Sequence, residues 1–468
     1  MTLQPADAAF EKGLRDRLPE TIFRPFEGRY REEPRGKFSA SDAILLAPRT
    51  VDEVSVILKS AHEAHVPVVP FGGGTGLVGG QVYDGVKPVV VTLERMNKIR
   101  AVYPAENVLI AEAGAILHSV KEAAYEAGRL FPLSLASEGS CQIGGNLATN
   151  AGGVNVLRYG NTRDLCLGVE AVLPDGTIIN ALRRVRKDNT GYDLRNLLVG
   201  SEGSLGIITA ASLKLFDIPA QSGTALFAVT SPDAALAMLN ASQALTGGGV
   251  SAFELIHETG FAFLAEHFPE LKQPFAPCPE WMALVELGVP NCQNPTEIFE
   301  TIFENALEDD LCFDGVIAQS EAQAQTLWAL REHIPHANRS VGAVASHDVS
   351  LPLSEISKFV EAAKREIAEM SDMRVNCFGH LGDGNLHFNL FPAVGKTKAD
   401  YQNIAAEAQK IIHDLVHHFD GSFSAEHGVG RLKVAELATY GDDGKLMAKR
   451  AIKGALDPHG IMNPGVFF

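Results

Sequence analysis

Toward its end the chain carries "HLGDGNLH", from His380 to His387, and about forty residues later "SAEHGVG", in which Glu426 and His427 are adjacent. Imidazole nitrogens and a carboxylate are the donors of a catalytic divalent metal, in which three protein ligands leave the fourth position open. Asp383-Gly384 is a tight-turn signal flanked by Leu381 and Leu386, so a hairpin there brings the two histidines together. The plainer alternative is a pair of surface histidines beside a turn. His413 and His417 in "HDLVHHF" also have a helical i, i+4 spacing, but they lack a glutamate partner. They are expected to be structural, as are His257, His267 and His418.

A second kind of chemistry sits in glycine-rich stretches. In "PFGGGTGLVGG" (Pro70–Gly80), Gly74, Gly76 and Gly79 satisfy GxGxxG after a strand. A dinucleotide fingerprint needs a helix immediately afterwards. Here "QVYDGVKPVVV" follows, which reads as another strand, so the Rossmann assignment fails. What remains is a loop bare enough to turn its N–H groups onto an anion such as a pyrophosphate, or a glycine turn with no ligand. The stretch from Pro132 to Asp164 is rich in small residues and side-chain amides, a composition that suits backbone laid against a large flat ligand. "NLLVGSEGSLGIIT" (196–209) repeats the style.

The elements around these stretches divide the chain. Thr50 is an N-cap candidate for a helix in "PRTVDEVSVILKSAHEAHV" (48–66). "VPVVPF", "KPVVVTLERM" and "NVLIAEAGAIL" read as strands, and "LHSVKEAAYEAG" as a helix stopping at Gly128. "LGVEAVLPDGTIINAL" reads as a hairpin about Asp175-Gly176. Beyond about 217 helices and strands alternate in longer runs, which marks a second domain. The expected organisation is 1–217, 218–425 carrying metal ligands, and a C-terminal segment 426–468.

With 468 residues, two or three domains are expected. The net charge of −17 argues against a nucleic-acid partner, and the short basic stretch "ALRRVRK" (181–187) reads as a solvated loop or hairpin. None of the six cysteines forms CxxC, so haem-attachment, iron–sulfur and zinc-ribbon spacings are absent. They read as reduced thiols of a cytoplasmic protein, with peripheral attachment to a membrane partner left open. No apolar run is long enough for a transmembrane helix.

The ordered series "PFGGGTGLVGG", "GGNLATNAGG", "YGNTRD", "GSEGSLGIIT", "HLGDGNLH", "SAEHGVG" and "DPHGIMNPG" resembles the FAD-linked oxidases of the vanillyl-alcohol oxidase superfamily. The resemblance runs from about Ala47 to the end and is strongest to the D-2-hydroxyacid dehydrogenase branch, which includes D-2-hydroxyglutarate, D-lactate and glycolate dehydrogenases. It implies an α+β protein: a two-part FAD-binding domain of the vanillyl-alcohol oxidase (PCMH) type, plus an α+β substrate (cap) domain with an antiparallel sheet. FAD contacts are implied at Phe71, Gly72, Gly73, Gly74, Thr75, Gly76 and Leu77 in the first loop. In the second stretch they are Gly139, Ser140, Gly144, Gly145, Thr149, Asn150, Gly152, Gly153 and Tyr159. Glu202, Gly206, Ile207 and Asn463 complete the set. The Leu77-Val78 dipeptide, where covalent members carry a histidine, implies non-covalent FAD.

The same resemblance implies His380, His387 and Glu426 as ligands of a divalent metal, zinc first, with manganese or iron compatible with the same donors. It implies His427 as general base, Arg331 as the carboxylate-binding cation and Asn389 as a substrate contact. The reaction implied is oxidation of a D-2-hydroxyacid to the 2-oxoacid by hydride transfer to flavin N5. Electrons would pass on to an electron-transfer flavoprotein, a quinone or a cytochrome, and a homodimer is compatible with the family. Ser346 and Pro335 stand where D-2-hydroxyglutarate members carry a lysine and a hydroxyl residue, so D-lactate is an equal candidate. His336, Arg339 or His347 are the substitutes in reach. The alternatives are a non-redox FAD-containing transferase of the superfamily and a glycolate or other 2-hydroxyacid oxidase subunit.

Overall fold

A computed structural model describes residues 2–468. The described residues fall into two compact units, one made of 2–152, 160–218 and 427–468, the other of 153–159 and 219–426.

The first unit contains two sheets. One has four strands in the order Phe23–Arg24, Ile44–Leu46, Val89–Thr92, Val68–Phe71, and its last three run parallel. Their residues are valine-rich and mostly buried, as parallel strands covered on both faces require. The helix Val51–Ala64 packs here through Val54, Ile57, Leu58 and Ala61. It starts at a capping box in which Thr50 and Glu53 satisfy each other's backbone N–H, as the Thr50 signal predicts. Between 72 and 88 the chain forms no helix, so the GxGxxG match is indeed a decoy.

The other sheet is antiparallel, in the order Ile99–Tyr103, Val108–Glu112, Ile207–Lys214, Cys166–Val172, Ile178–Ala181. The last two strands are the expected hairpin. Gly176 holds φ 88° in its turn, where a Cβ would strike Lys59 Cβ at 2.7 Å. The basic stretch beyond it is irregular and largely exposed.

The second unit is built on a seven-stranded antiparallel sheet ordered Cys312–Ile317, Gln221–Val229, Trp281–Val289, Val250–His257, Arg374–His380, Asn385–Phe391, Ala345–Ser350. Alternation along the strands sends Phe227, Phe253, Leu255, Val285, Phe388 and Leu390 to one face. There they meet the helices 232–246, 295–308, 356–370 and 405–418. Leu226, Ile256, Leu284 and Phe378 point to the other face, under Phe261 and Phe263 of the helix Glu258–His267 and Leu330, Ile334 and Ala337 of the helix Glu321–Val341.

Two sequence assignments change. The stretch 153–159, including Gly153 and Tyr159, belongs to the second unit, because Arg158 Nη1 donates to the carbonyl of Gly288 at 2.7 Å and to Ser251 Oγ at 3.1 Å. Glu426 also belongs there, since its backbone N–H donates to Asp348 Oδ2 at 3.0 Å.

Candidate flavin cavity and candidate metal centre

In the first unit an open cavity is walled by the glycine loop, by the helix Ile143–Ala148 and the residues before it, and by 201–208. Phe71, Gly72, Gly73, Gly74, Thr75, Gly76, Gly144, Gly145, Thr149, Glu202, Gly206, Ile207, Asn463 and His427 all line it. The glycines are required by close approach: a Cβ on Gly73 would lie 2.3 Å from the Ser140 carbonyl oxygen, and one on Gly144 2.8 Å from Ala113 Cβ. Gly145 has no protein atom within 4 Å of a Cβ position and leaves that space to the cavity.

Some expected contacts lie elsewhere. Leu77, Gly139, Ser140, Asn150 and Gly152 are not in the cavity wall. Ser140 supplies the backbone packed against Gly73, and Asn150 Oδ1 accepts the Arg163 backbone N–H at 2.8 Å. Gly153 N–H donates to Glu426 Oε2 at 3.1 Å within the second unit.

Glu202 and Asn463 line the cavity, but their side chains are engaged with protein. Burial pushes the Glu202 carboxyl upward in pKa, against the N–H groups of Val429 and Gly430 that it accepts at 2.8 and 2.7 Å. Asn463 Nδ2 donates to the carbonyls of Glu202 (2.7 Å) and Gly80 (3.0 Å), and its Oδ1 accepts from Arg431 Nη2 at 2.7 Å. Both residues hold positive φ, 50° and 44°. They staple the C-terminal segment to the cavity wall.

Gln142, Asn146, Gln81 and Arg431 escaped the sequence reading. Gln142 Oε1 and Asn146 Oδ1 are buried without a hydrogen-bond partner among the described residues, and both residues line the cavity. Buried acceptors left open in this way suit a ligand carrying N–H donors, as the flavin and adenine rings do. Bare backbone and open acceptors together fit FAD.

In the second unit the expected hairpin forms between Arg374–His380 and Asn385–Phe391, turning through Gly384 at φ 79°. Its register pairs Phe378 with His387 and His380 with Asn385, so both histidines project from the same face. The ring centroids are 5.6 Å apart. The segment leading to Glu426 is held against the edge strand Ala345–Ser350 by a bridge between Ser422 and Ser350. One donor atom from each of His380, His387 and Glu426 lies within 4.8 Å of the others, a spacing that a metal ion can span.

Glu254, absent from the residues expected at the site, stands directly opposite His380 on the neighbouring strand. Its Oε1 is 2.5 Å from His380 Nδ1, and its Oε2 accepts from Arg331 Nε at 2.7 Å. Burial alone would raise the Glu254 pKa, but His380 and Arg331 together pull it down to about 2. Burial likewise works against a charged His380, yet Glu254 holds its pKa up at about 9. Arg331 also stacks over Phe378, 4.7 Å from guanidinium carbon to ring centroid. The one available signal was a lone acid inside the apolar strand "SAFELIH".

Asn389 Oδ1 accepts the His347 backbone N–H at 3.1 Å, and the side chain lies on the same sheet face as His387. His347 itself cannot serve the same face. It pairs with Phe388, bonds that residue's carbonyl through Nδ1 at 2.7 Å and packs on His413, so alternation turns it to the opposite side of the sheet.

A glycine-walled cavity with open acceptors, beside one mixed and one antiparallel sheet, is suited to a flavin nucleotide. Residues 43–182 match the family description "FAD binding domain", and residues 218–467 match "FAD linked oxidases, C-terminal domain". The chain belongs to the FAD-linked oxidase family. It is 36% identical to the mitochondrial D-2-hydroxyglutarate dehydrogenase of Arabidopsis thaliana over 92% of this chain and 75% of that one. The Bos taurus mitochondrial enzyme of the same name is 36% identical over 91% and 76%. A putative mitochondrial D-lactate dehydrogenase of Schizosaccharomyces pombe is 35% identical over 92% and 82%. Among solved structures, p-cresol methylhydroxylase aligns with TM-score 0.74 at 15% identity, covering 99% of this chain and 98% of that one. Alkyldihydroxyacetonephosphate synthase aligns with TM-score 0.72 at 18% identity, covering 99% and 86%. At such identities these two likenesses establish the fold alone. No helix among the described residues is long and apolar enough to cross a membrane.

Proposed function

We propose that this protein is an FAD-dependent, metal-assisted dehydrogenase that oxidises a D-2-hydroxyacid, D-2-hydroxyglutarate or D-lactate, to the 2-oxoacid. The observation that carries the reading is the convergence of His380, His387 and Glu426 on one sheet face that also presents the buried Arg331–Glu254 pair. The relatives at 35–36% identity support the substrate class. When bound, FAD supplies a two-electron acceptor that takes hydride at N5, and a divalent cation, zinc or else manganese or iron, supplies a Lewis acid.

The chain's own residues do the rest. The glycine loop Phe71–Gly76 offers N–H groups to the pyrophosphate, and Gly144, Gly145, Thr149, Gly206 and Ile207 give the rings a close wall. Leu77 replaces the histidine that would attach flavin, so FAD is held non-covalently. His380, His387 and Glu426 hold the cation. Arg331 presents its guanidinium to the substrate carboxylate, because Glu254 occupies only Nε and leaves the terminal nitrogens for an anion. Asn389 donates its amide N–H to the substrate. His427, which lines the flavin cavity, accepts the hydroxyl proton. The electron acceptor is an electron-transfer flavoprotein, a quinone or a cytochrome. The six unpaired cysteines support a reducing setting.

The test is an anaerobic visible spectrum of the purified flavoprotein, with D- and L-lactate and D- and L-2-hydroxyglutarate added in turn. Bleaching by a D-acid alone, blocked by prior chelation, is the expected result. Flavin that no acid reduces would overturn the dehydrogenase, and reduction that survives complete metal removal would overturn the metal's role.

A further inference from the structure

We propose that Glu254 is a positioning residue that ties the metal centre to the substrate-binding arginine, an inference that rests on the function proposed above. One fully buried carboxylate divides its two oxygens between two functional groups. Oε1 meets His380 Nδ1, so the lone pair directed away from the strand pair is on Nε2, and that nitrogen becomes the ligating atom. Oε2 takes Arg331 Nε, which fixes the rotation of the guanidinium plane and aims the terminal nitrogens.

The placement follows from register. Glu254 faces His380 across the antiparallel pair of Val250–His257 and Arg374–His380, and Arg331 comes down from the helix Glu321–Val341 onto the same face. A buried ion pair with no further role is a weak source of stability, and an apolar pair of similar volume fills such a site as well. The geometry points instead to coupling, in which the same side chain sets metal affinity and carboxylate recognition.

Glu254→Gln keeps the volume but presents one acceptor and one amine, and so serves only one of the two partners. The expected result is a 10–100-fold loss of zinc affinity, measured by competition with a chromophoric chelator on FAD-loaded protein, with the flavin spectrum and FAD content unchanged. KM for the D-2-hydroxyacid should rise in the same variant even when zinc is saturating. Unaltered zinc affinity in folded, yellow Glu254→Gln protein overturns the inference alone. Wild-type protein that takes up none of zinc, manganese and iron(II) overturns the inference together with the metal-assisted reaction on which it rests. Should Glu254→Gln not fold, nitrogen-15 histidine spectra of zinc-loaded wild type decide the point, with His380 assigned by its loss in His380→Gln. A proton on Nδ1 with Nε2 ligating is the expected tautomer, and the reverse tautomer refutes the proposal.

Discussion

Asn463 Nδ2 lies 2.7 Å from the carbonyl oxygen of Glu202, a hydrogen bond that joins positions 261 residues apart in the chain. Both residues hold the left-handed backbone conformation, and each binds other parts of the cavity wall. The C-terminal segment is thus a structural member of the flavin cavity, whose loss should be felt by FAD.

Asn463→Gly tests this without backbone strain, because glycine accepts φ 44° freely. Three side-chain hydrogen bonds disappear and the Glu202 and Gly80 carbonyls each lose a donor. The expected destabilisation is roughly 2–3 kcal/mol by urea unfolding, with faster FAD loss. A change below about 0.5 kcal/mol, in the range of ordinary surface substitutions, would show that the staple is unimportant.

Two glycines separate protein packing from ligand packing. Gly73→Ala pushes a methyl group to 2.3 Å from the Ser140 carbonyl oxygen, and the backbone must move. Yield and melting temperature should both fall. Gly145→Ala meets no protein atom within 4 Å, so the apoprotein should melt as the wild type does. FAD affinity should drop tenfold or more, because the methyl group enters the cavity. Equal FAD affinity in Gly145→Ala and wild type would mean that the rings do not lie against this helix.

Arg331→Lys replaces a planar fork by a single ammonium, which cannot hold Glu254 through one nitrogen and offer two more to a carboxylate. KM for the D-2-hydroxyacid should rise by at least tenfold with a smaller effect on kcat. A kcat defect at unchanged KM would place Arg331 outside carboxylate binding.

Acid should weaken the second unit through His257. Burial, reinforced by Lys364 Nζ 3.3 Å from Nε2 and opposed by Glu280, lowers this imidazole to about 4. The unfolded chain takes up the proton near 6.5, the folded one only near 4, so stability is complete above 6.5 and falls as pH drops through that window. The full loss is of order 3 kcal/mol. His257→Asn keeps an acceptor for the Thr259 N–H that starts the helix Glu258–His267 and removes the titration. Its unfolding midpoint should vary less between pH 6.5 and 4 than that of wild type. An identical pH profile would refute the assignment.

Much of the site is written locally. The glycine loop, the capping box at Thr50, the hairpin about Gly176 and the turn at Asp383-Gly384 each depend on a few adjacent residues, so their types and spacing suffice. The two histidines of "HLGDGNLH" belong to this class, because a two-stranded turn with alternation at period two determines their common face. Tertiary structure decided the rest. Nothing near Glu254 in the chain says that it will face His380, 126 residues away, since register between separate strands is set by packing of both sheet faces. The same alternation turned His347 away from the substrate side, although it is only one residue from Ser346 and one from Asp348. The open acceptors of Gln142 and Asn146 are visible only once a helix and a glycine loop enclose them. Local sequence determined which chemical groups stand at each turn, whereas burial and strand register, which are properties of the packed chain, decided which of them meet.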